Sequence, residues 1–398
     1  MKRQVALLIE TSSQYGRDLL GGIIRYMRMH DQWLVYADQS DLPDQHPKWL
    51  ETWSGDGIIS RAITPSLQKA VGHMQIPLVN LTDRYGQPHL PAIRSDDVAI
   101  GEMAFDHLRQ RHFKTFGFCG FRNEAWSERR QTAFIEAARR HTDAEVEVFN
   151  SDWHDDASYE QQRGAIGDWL QQIESPVGIM ACNDVRGRQV IDACLHIGRA
   201  VPQEVAVIGV DNDEFLCRLC SPPLSSVIPD ASRIGFAAAG ILDNMMHDRP
   251  VERSLQTVAP LSVVTRQSTD VVAIDDTAIA SALDIIRQNA CLQISVDDVA
   301  RRSNVSRSTL ERQFRKLLGR TPQEEIRYVQ IQRVKELLTT TNLPITEIAD
   351  CCGFDHPEYL HAVFKRFTSV TPGRFRKEAS DGKRTATGPK ASVANPRA

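Results

Sequence analysis

The sequence predicts a two-lobed α/β part built on doubly wound parallel sheets, followed by an all-α domain with two helix-turn-helix motifs. Three observations support this fold class. In the first 266 residues, short β-rich runs alternate with helical patterns. Between residues 296 and 372, one helical pattern occurs twice. The charge also divides: residues 277–398 carry 20 Lys and Arg against 13 Asp and Glu, whereas the preceding part has a net charge of -11.

The first part contains eight β-rich runs with helical patterns between them. Strands that alternate with helices in this way favour parallel sheets covered on both faces. Eight or more strands suit two lobes better than one. We expect the chain to leave the first lobe near residues 105–115 and to return to it after about Pro229. The predicted strands are VALLIE, WLVYAD, GDGIIS, IPLVNL, FGFCGF, EVEVFN, GIMACND and VAVIGVDND.

Polar side chains follow several of these strands. Parallel sheets bind ligands at the carboxyl ends of their strands, so these groups indicate function. Carboxylates accept hydrogen bonds from adjacent hydroxyls, arginine donates them, and an indole covers the C–H face of a sugar ring. Together, the carboxylates, arginine and indole that follow these strands predict a neutral polyol ligand. For Asp97 and Asp213 we expect the alternative role of helix N-cap, whereas for Asp184 and Asp211 we expect ligand contact.

Several functional classes lack support in the sequence. It contains neither GxGxxG nor GxxxxGK[ST], the glycine motifs that hold nucleotide phosphates. Cys217 and Cys220 form a CxxC without a second pair or a histidine cluster, so we expect no metal and no cofactor. No nucleophile with a neighbouring base is identifiable, so we expect no catalytic residues and no enzyme activity. No 18-residue apolar run and no signal sequence are present, which predicts a cytoplasmic protein.

The repeated pattern predicts two helical hairpins. Each copy reads as a short helix, a tight turn and a second helix whose Leu and Phe lie four residues apart. Asn304 and Gly353 fall in the turns, where a left-handed backbone costs these residues least. Two hairpins in an ordinary helical bundle are the alternative. The matched positions are Ala300 with Ala349, Val305 with Phe354, Leu310 with Leu360, Phe314 with Phe364, Thr321 with Thr371 and Pro322 with Pro372.

The exposed faces of the second helices favour DNA binding over the bundle. Arginine can pair with guanine, and serine can contact a base or a phosphate. The second copy is less basic, and we expect it to read less sequence. Between the copies, Thr321, Pro322 and Glu324 predict a capping box that opens a helix of about 18 residues, roughly 27 Å long. Such a helix could hold both hairpins for adjacent major grooves. The predicted DNA-facing residues include Arg307, Ser308, Glu311, Arg312 and Arg315, then Pro357, Glu358, His361, Ala362 and Lys365.

Residues 279–378 resemble the DNA-binding domain of the arabinose-regulator (AraC) family of transcription factors. The repeated hairpins, the helix between them and the closing FKRFTSVTPGRFRK carry this resemblance. It places base-contacting positions of the first recognition helix on Arg307, Ser308, Glu311 and Arg312. Those of the second fall on Pro357, Glu358, His361 and Ala362, where Pro357 and Ala362 depart from the polar residues usual in the family.

Residues 1–266 resemble the lactose-repressor (LacI) and periplasmic sugar-binding superfamily, which implies a periplasmic-binding-protein-like fold of type I. The resemblance is carried by IRSDDVAIG, WSERRQTAF, GIMACNDVRGRQV and VAVIGVDNDEFLCRLCSPPLSSV. Related sugar regulators also suggest Asp184 and Trp126 as contacts, and Tyr15 and Arg17 of the first loop are further candidates. The sugar-contacting positions that the superfamily implies are Asp96, Arg130, Asn183 and Asp211.

The two resemblances imply a sugar-responsive transcription regulator, expected to activate pentose utilisation genes, with D-xylose as the first candidate effector. The expected partners are an operator in double-stranded DNA, a second copy of the chain in a homodimer and RNA polymerase. A purine or another polar metabolite as ligand, and a sugar-modifying enzyme tethered to DNA, remain alternatives. We expect a sugar-binding domain at 1–266, a linker at 267–278, a DNA-binding domain at 279–378 and a disordered tail at 379–398.

Overall fold

The chain forms two compact units, Met1–Ala273 and Ile274–Ala398. The fold is given by a computed structural model. It describes residues 2–30, 32–37, 48–61, 67, 69, 76–82, 90–142, 145–152, 158–252, 254–270, 276–341 and 343–377. The predicted tail and residues 271–275 of the predicted linker lie outside the described residues.

The first sheet has six parallel strands in the order β11-β5-β4-β3-β1-β2. Its central strands are buried on both faces, which explains why they read as continuous apolar runs in the sequence. The strands are β1 (Gln4–Leu8), β2 (Leu34–Ala37), β3 (Gly57–Ser60), β4 (Leu78–Asn80), β5 (Ala92–Ser95) and β11 (Leu255–Val258).

The second sheet has the order β12-β10-β9-β8-β6-β7, and only the edge strand β12 runs antiparallel to its neighbour. All six residues of its central strand β9 are buried. The two sheets confirm the predicted pair of doubly wound lobes. The strands are β6 (Thr115–Arg122), β7 (Val146–Asp152), β8 (Val177–Ala181), β9 (Val205–Val210), β10 (Ser225–Ile228) and β12 (Ser262–Val264).

Helices cover both faces of these sheets, and each begins shortly after a strand ends. Most start at a side-chain N-cap, such as Ser13, Asn183 or Asp213, whose oxygen accepts a hydrogen bond from the first helical turn. The helices of the first unit are α1 (Gln14–Met29), α2 (Asp97–Arg109), α3 (Ala125–His141), α4 (Tyr159–Gln171), α5 (Asp184–Ile197), α6 (Glu214–Leu219) and α7 (Ala231–Met246).

The chain crosses between the lobes earlier than the predicted 105–115. Ile100, Phe105 and Leu108 of α2 pack in the core of the second sheet, so the crossing lies between β5 and α2. The prediction was wrong because the apolar face of α2 already covers the second sheet. The return after Pro229 is confirmed, since α7 packs against α1 and the first sheet. A further crossing, from β11 to β12, was not predicted.

Two glycines allow α1 and α7 to approach closely. A Cβ on Gly22 would lie 2.0 Å from the carbonyl oxygen of Ser232, and one on Gly235 would lie 1.9 Å from that of Leu19. Real side chains cannot occupy such positions, so both contacts require glycine. This packing holds the first lobe together beside its sheet.

The second unit consists of helices, and its core has two halves. One apolar cluster lies around Leu310 and Phe314, and the other around Leu360 and Phe364. The long helix α11 contributes Ile326 to the first cluster and Ile331 to the second, so it joins the two halves. The helices are α8 (Thr277–Asn289), α9 (Val296–Arg302), α10 (Arg307–Leu318), α11 (Pro322–Thr340), α12 (Ile345–Cys351) and α13 (Pro357–Thr368).

The turns and caps predicted for this unit are present. Asn304 and Gly353 have positive φ angles of 57° and 73°, which places both turns in the left-handed region. Thr321 and Glu324 form the predicted capping box, with Pro322 at the first helical position of α11. The repeated pattern therefore folds as two helix-turn-helix motifs, α9–α10 and α12–α13.

Candidate functional site

A cleft with a cavity of about 510 Å³ lies in the first unit and takes its walls from both lobes. Its size is that of a small-molecule site. Every wall residue lies at the carboxyl end of a strand or in the first turns of the following helix, as expected for ligand sites of parallel sheets. The polar lining consists of Glu10, Ser12, Ser13, Gln14, Tyr15, Arg61, Thr82, Arg94, Ser95, Asp97, Glu124, Trp126, Arg129, Arg130, Asn183, Asp184, Asp211 and Asp213.

The first lobe contributes an ion pair between Glu10 and Arg61. Ser13 donates to Glu10 Oε1 at 2.8 Å, whereas Glu10 Oε2 is buried without a hydrogen-bond partner among the described residues. The Arg61 guanidinium lies over the Tyr15 ring, 4.7 Å from its centre, and the Tyr15 hydroxyl is 2.9 Å from that of Ser95. This wall therefore offers one buried carboxylate oxygen as an acceptor.

The second lobe contributes a carboxylate between two arginines. Asp97 accepts from Arg129 Nη2 at 2.7 Å and from Arg130 Nε at 2.9 Å. Arg130 also donates to the Cys182 carbonyl at 2.6 Å and lies over the Trp126 ring. The Trp126 indole donates to Glu124 at 3.0 Å. These contacts hold the Arg130 guanidinium stacked on the Trp126 indole at the cleft wall.

Asp211 occupies a strained position at the end of β9. Its φ angle is 103°, which is costly for a residue with a side chain and is often found at functional sites. Burial raises the pKa of Asp211 to about 6, although the charges of Arg130 and Arg61 lower it. Among the described residues no group donates a hydrogen bond to its carboxylate. Asp211 is thus an acceptor without a protein donor, facing charges from both lobes.

Asp184 is buried, and its two oxygens already have protein donors. Ser226 donates to Oδ1 at 2.6 Å, and the Asp213 backbone donates to Oδ2 at 2.7 Å. The Cys217 thiol donates to the same oxygen at 3.4 Å, which gives one cysteine of the CxxC a structural role. Burial, followed by the charge of Asp211, raises the pKa of Asp184 well above its usual range. This carboxylate fixes the loop that carries Asp211.

The structure brings most of the predicted ligand residues together in the cleft: Tyr15, Trp126, Arg130, Asn183, Asp184 and Asp211. Two others lie elsewhere. Asp96 caps α2 by accepting from the Ala99 backbone, and Asp97 lines the cleft instead, which reverses the roles expected for this pair. Arg17 donates to the carbonyls of Thr11 and Ser12 rather than lining the cleft.

Some cleft residues were not among the predicted contacts. Asp213 caps α6, as expected, and in addition lines the cleft. Glu10, the last residue of the predicted strand VALLIE, also lines the cleft. Arg61, Glu124 and Arg129 gave no distinguishing signal, because single charged residues after a strand are common on surfaces. These residues can be recognised as site residues only once the fold brings the carboxyl ends of both sheets to one cleft.

A chain of hydrogen bonds runs from the cleft to the end of the first unit. Ser226, which holds Asp184, accepts from the Asn212 backbone at 2.9 Å. Asn212 Oδ1 in turn accepts from Arg266 at 2.7 Å, and the Arg266 backbone donates to Ser225 Oγ at 2.7 Å. Ser225 Oγ also accepts from the Thr269 hydroxyl at 2.7 Å. We call this chain the Arg266 network; it ends just before the second unit begins in the sequence.

The recognition helix of the first motif presents a basic face. Arg307, Ser308, Arg312 and Arg315 are exposed, and Glu311 is half-buried. Arg307 is held by Asp297 of α9 at 3.0 Å and by Glu311 at 3.0 Å. Within the described residues Arg312 has no ion pair.

The recognition helix of the second motif is less basic, as expected. Glu358, His361, Ala362 and Lys365 are exposed, and Pro357 is half-buried. Pro357 occupies the first helical position of α13, where a missing backbone N–H costs nothing. The proline that departs from the family pattern therefore has a structural reason.

The described residues contain no cluster of three or more His, Cys, Asp or Glu side chains that could hold a metal ion. Within the same part of the chain, no helix has the length and apolarity needed to cross a membrane.

Three family models match the chain in sequence order. Residues 4–98 match an XylR N-terminal domain, residues 105–269 a periplasmic binding protein-like domain, and residues 299–378 a helix-turn-helix domain. The first match covers the first lobe up to the start of α2, the second covers most of the second lobe together with α7 and β11 of the first, and the third covers most of the two helix-turn-helix motifs.

Whole-chain relatives are also found. The chain is 31% identical to the xylose operon regulatory protein of Haemophilus influenzae over 94% of its own length and 98% of the relative's. It is 29% identical to the xylose operon regulatory protein of Escherichia coli K12 over 96% and 98%. A solved structure of the xylose-binding transcription activator XylR matches with a TM-score of 0.78 and 27% identity, covering 95% of this chain and 98% of that one. The chain therefore belongs to the family of xylose operon regulatory proteins.

Proposed function

We propose that this chain is a transcription regulator that binds D-xylose in the cleft of its first unit and operator DNA through its second unit. The observation that carries the proposal is the joint presence of a carboxylate- and arginine-lined cleft and two exposed recognition helices in a chain that matches xylose regulators over nearly all its length. The chain is a regulator and not an enzyme, in agreement with its relatives.

The proposed sugar contacts follow from the free acceptors and donors of the cleft. Asp211 and Glu10 Oε2 can each accept hydrogen bonds from sugar hydroxyls, because neither has a donor in the described part of the chain. Arg130 can donate to a ring or hydroxyl oxygen, and Trp126 can cover a C–H face. Asp184 positions the loop and does not itself touch the sugar in this proposal.

A purine ligand has less support from the same lining. A purine base is commonly held between aromatic rings, whereas the described lining contains Tyr15 and Trp126 as its aromatic residues and six carboxylates. Carboxylates favour a ligand rich in hydroxyl donors. We therefore place the pentose ahead of the purine.

The proposed DNA contacts lie on α10 and α13. We assign Arg312 to a base edge, because its side chain is exposed and free of ion pairs within the described chain. Ser308, Arg307, Glu311 and Arg315 complete the first face. Glu358, His361 and Lys365 form the second, weaker face with Pro357 and Ala362.

We further propose that the regulator acts in the cytoplasm as a homodimer and activates transcription through contact with RNA polymerase. Two copies bring four helix-turn-helix motifs, so the operator should contain two half-sites. Analytical ultracentrifugation with and without D-xylose measures the dimer. In vitro transcription with purified RNA polymerase measures activation, and xylose-independent transcript levels would overturn this part.

The central test is calorimetry of the full chain against D-xylose, L-arabinose, D-ribose, D-glucose and hypoxanthine. We expect D-xylose to bind most tightly and Asp211→Ala to weaken that binding while the variant still binds DNA. Binding of hypoxanthine with no binding of any sugar would overturn the pentose assignment. Operator affinity that no sugar changes would overturn the sugar switch.

A further inference from the structure

Two cysteines of the DNA-binding unit lie side by side. Cys291 lies in the short 3-10 turn Ala290–Leu292 after α8, and Cys352 follows the last residue of α12. Cys352 belongs to the apolar cluster of the second helix-turn-helix motif and Cys291 packs against it, so that the two side chains interact. Cys352 is fully buried, whereas Cys291 is partly exposed.

The backbone around the two cysteines is held in place. Gln330 of α11 is buried and donates from Nε2 to the Ala290 carbonyl at 2.8 Å and to the Gly353 carbonyl at 3.2 Å. A Cβ on Gly353 would lie 2.8 Å from the Cys291 carbonyl oxygen, so the two segments are in direct contact. The thiols therefore stay adjacent without an extra element to bring them together.

The two thiols differ in reactivity. The interaction with Cys352 and the charge of Arg333 lower the pKa of Cys291 to about 7, despite partial burial. The same interaction and burial raise the pKa of Cys352. A thiolate is the reactive form of cysteine, so the half-exposed Cys291 is the thiol that an oxidant meets first. Cys352 is placed to react second, as a resolving thiol.

We propose that Cys291 and Cys352 form a reversible disulfide when the protein meets a hydroperoxide, which gives the regulator an oxidation site in addition to its sugar site. With hydrogen peroxide as the oxidant, the Cys291 thiolate attacks one oxygen, the O–O bond breaks, and a sulfenic acid and a hydroxide are formed; the hydroxide takes up the proton that the Cys291 thiol lost and becomes one water. The Cys352 sulfur then attacks the Cys291 sulfur, the S–O bond breaks, and the leaving hydroxide takes up the Cys352 proton as a second water. The peroxide is reduced and the two thiols are oxidised by two electrons in total.

The bond would connect the first half of the unit to the turn of the second motif. Cys352 directly precedes Gly353, the left-handed residue of the turn between α12 and α13. A disulfide imposes a specific separation and dihedral angle on its two cysteines, so we expect its formation to shift this turn. We expect the oxidised protein to bind DNA less well through α13 than through α10; this consequence rests on the proposed DNA contacts.

The test uses the full-length protein, treated with hydrogen peroxide and then with an alkylating reagent. Peptide mass spectrometry without reduction is expected to find Cys291 joined to Cys352, with the loss of two hydrogens, and dithiothreitol is expected to reverse it. Cys351→Ser is the matched control, because Cys351 is exposed and adjacent in sequence. It should leave the link intact, whereas Cys291→Ala should abolish it.

Two results would overturn the proposal: a link that contains Cys351, or oxidation of Cys291 to sulfinic acid without any link. Footprinting of oxidised and reduced protein supplies a second measurement. We expect protection to be lost over one part of each half-site and kept over the other. Unchanged protection with the link present would overturn the effect on DNA binding. Sugar and DNA binding by the reduced protein are measured separately, so failure of the proposed function is distinguishable.

Discussion

At the residue scale, Asp211 combines three properties that rarely occur together: a strained backbone, a raised pKa and a carboxylate without a donor in the described chain. The groups that act on its charge are Arg130 and Arg61, which stabilise it, and Glu10 and Asp97, which destabilise it. A hydroxyl-rich ligand would supply the missing donors. The unliganded protein therefore carries an energetic cost at this position that sugar binding can relieve.

The pKa of Asp211 leads to a pH prediction. As the pH falls from 7 to 5, the carboxylate becomes protonated and loses its charge-assisted hydrogen bonds, so D-xylose affinity should fall roughly tenfold. Calorimetry across this range measures it, and Asp211→Asn should remove most of the dependence. An equal pH dependence in the variant would assign the titration to another group.

The raised pKa of Asp211 also makes the stability of the folded protein depend on pH. Because folding raises the pKa of Asp211, its protonation favours the folded state, and this contribution is lost as the pH rises through about 6. Thermal unfolding without sugar should therefore show that Asp211→Asn gains stability over the parent more at pH 7 than at pH 5.

Arg312 and Lys316 form a second residue-scale test. Both are exposed on α10, but Arg312 lies within the proposed base-reading face and Lys316 one turn further on. Arg312→Ala should cost about 1–3 kcal/mol of operator binding and relax the preference at one base pair. Lys316→Ala should weaken binding equally for all sequences, as loss of a phosphate contact does. Affinity measurements on an operator library distinguish these outcomes, and a uniform loss for Arg312→Ala would make it a phosphate contact.

At the element scale, the close contact between α1 and α7 depends on Gly22 and Gly235. Substitutions at Gly22 and at the adjacent Gly21 test this dependence. Gly22→Ala would bring a methyl group 2.0 Å from a backbone oxygen of α7, so the helices must separate. We expect a loss of roughly 1–3 kcal/mol in the free energy of unfolding. Gly21→Ala on the same helix meets nothing within 4 Å, so it should stabilise by about 0.5–1 kcal/mol. Chemical denaturation of both variants measures this pair, and equal effects would contradict the close approach.

The elements also show which parts of the fold the sequence could predict. All eight predicted β-rich runs contain strands, because buried parallel strands are continuous apolar runs. The eight predicted runs do not include β5, β10, β11 and β12. These strands are three or four residues long, and all four carry polar residues that are also common in loops. Their strand character comes from pairing with neighbours distant in sequence.

In the candidate site, too, some residues could be predicted from the sequence and others could not. Asn183, Asp184 and Asp211 follow strongly apolar strands, so their position at a sheet edge could be predicted. The exchange of roles between Asp96 and Asp97 could not, because it depends on which of two adjacent residues becomes the N-cap of α2. The Glu10 and Arg61 pair joins two strands 51 residues apart, a contact that one sequence does not reveal.

At the scale of the whole molecule, the Arg266 network is a candidate route from sugar to DNA. Arg266→Ala should keep D-xylose affinity within about threefold, because the side chain does not line the cleft. It should reduce the sugar-dependent change in operator affinity, for which couplings are typically 1–3 kcal/mol. Arg199→Ala is the matched control: the Arg199 side chain likewise donates two hydrogen bonds, to the Leu170 and Ile173 carbonyls, but it lies outside the network. Fluorescence anisotropy with operator DNA measures both, and equal coupling in both variants would exclude this route.

The edge strands β11 and β12 have a consequence for biosynthesis. The first sheet receives its last strand only when the chain has been made as far as Val258, and the second only at Val264. During translation neither lobe can therefore complete its sheet while the ribosome is still adding the first 250 residues. Both sheets are completed almost together, just before the DNA-binding unit emerges. A nascent chain interrupted before Leu255 would leave two unpaired sheet edges, the kind of surface that chaperones and proteases recognise.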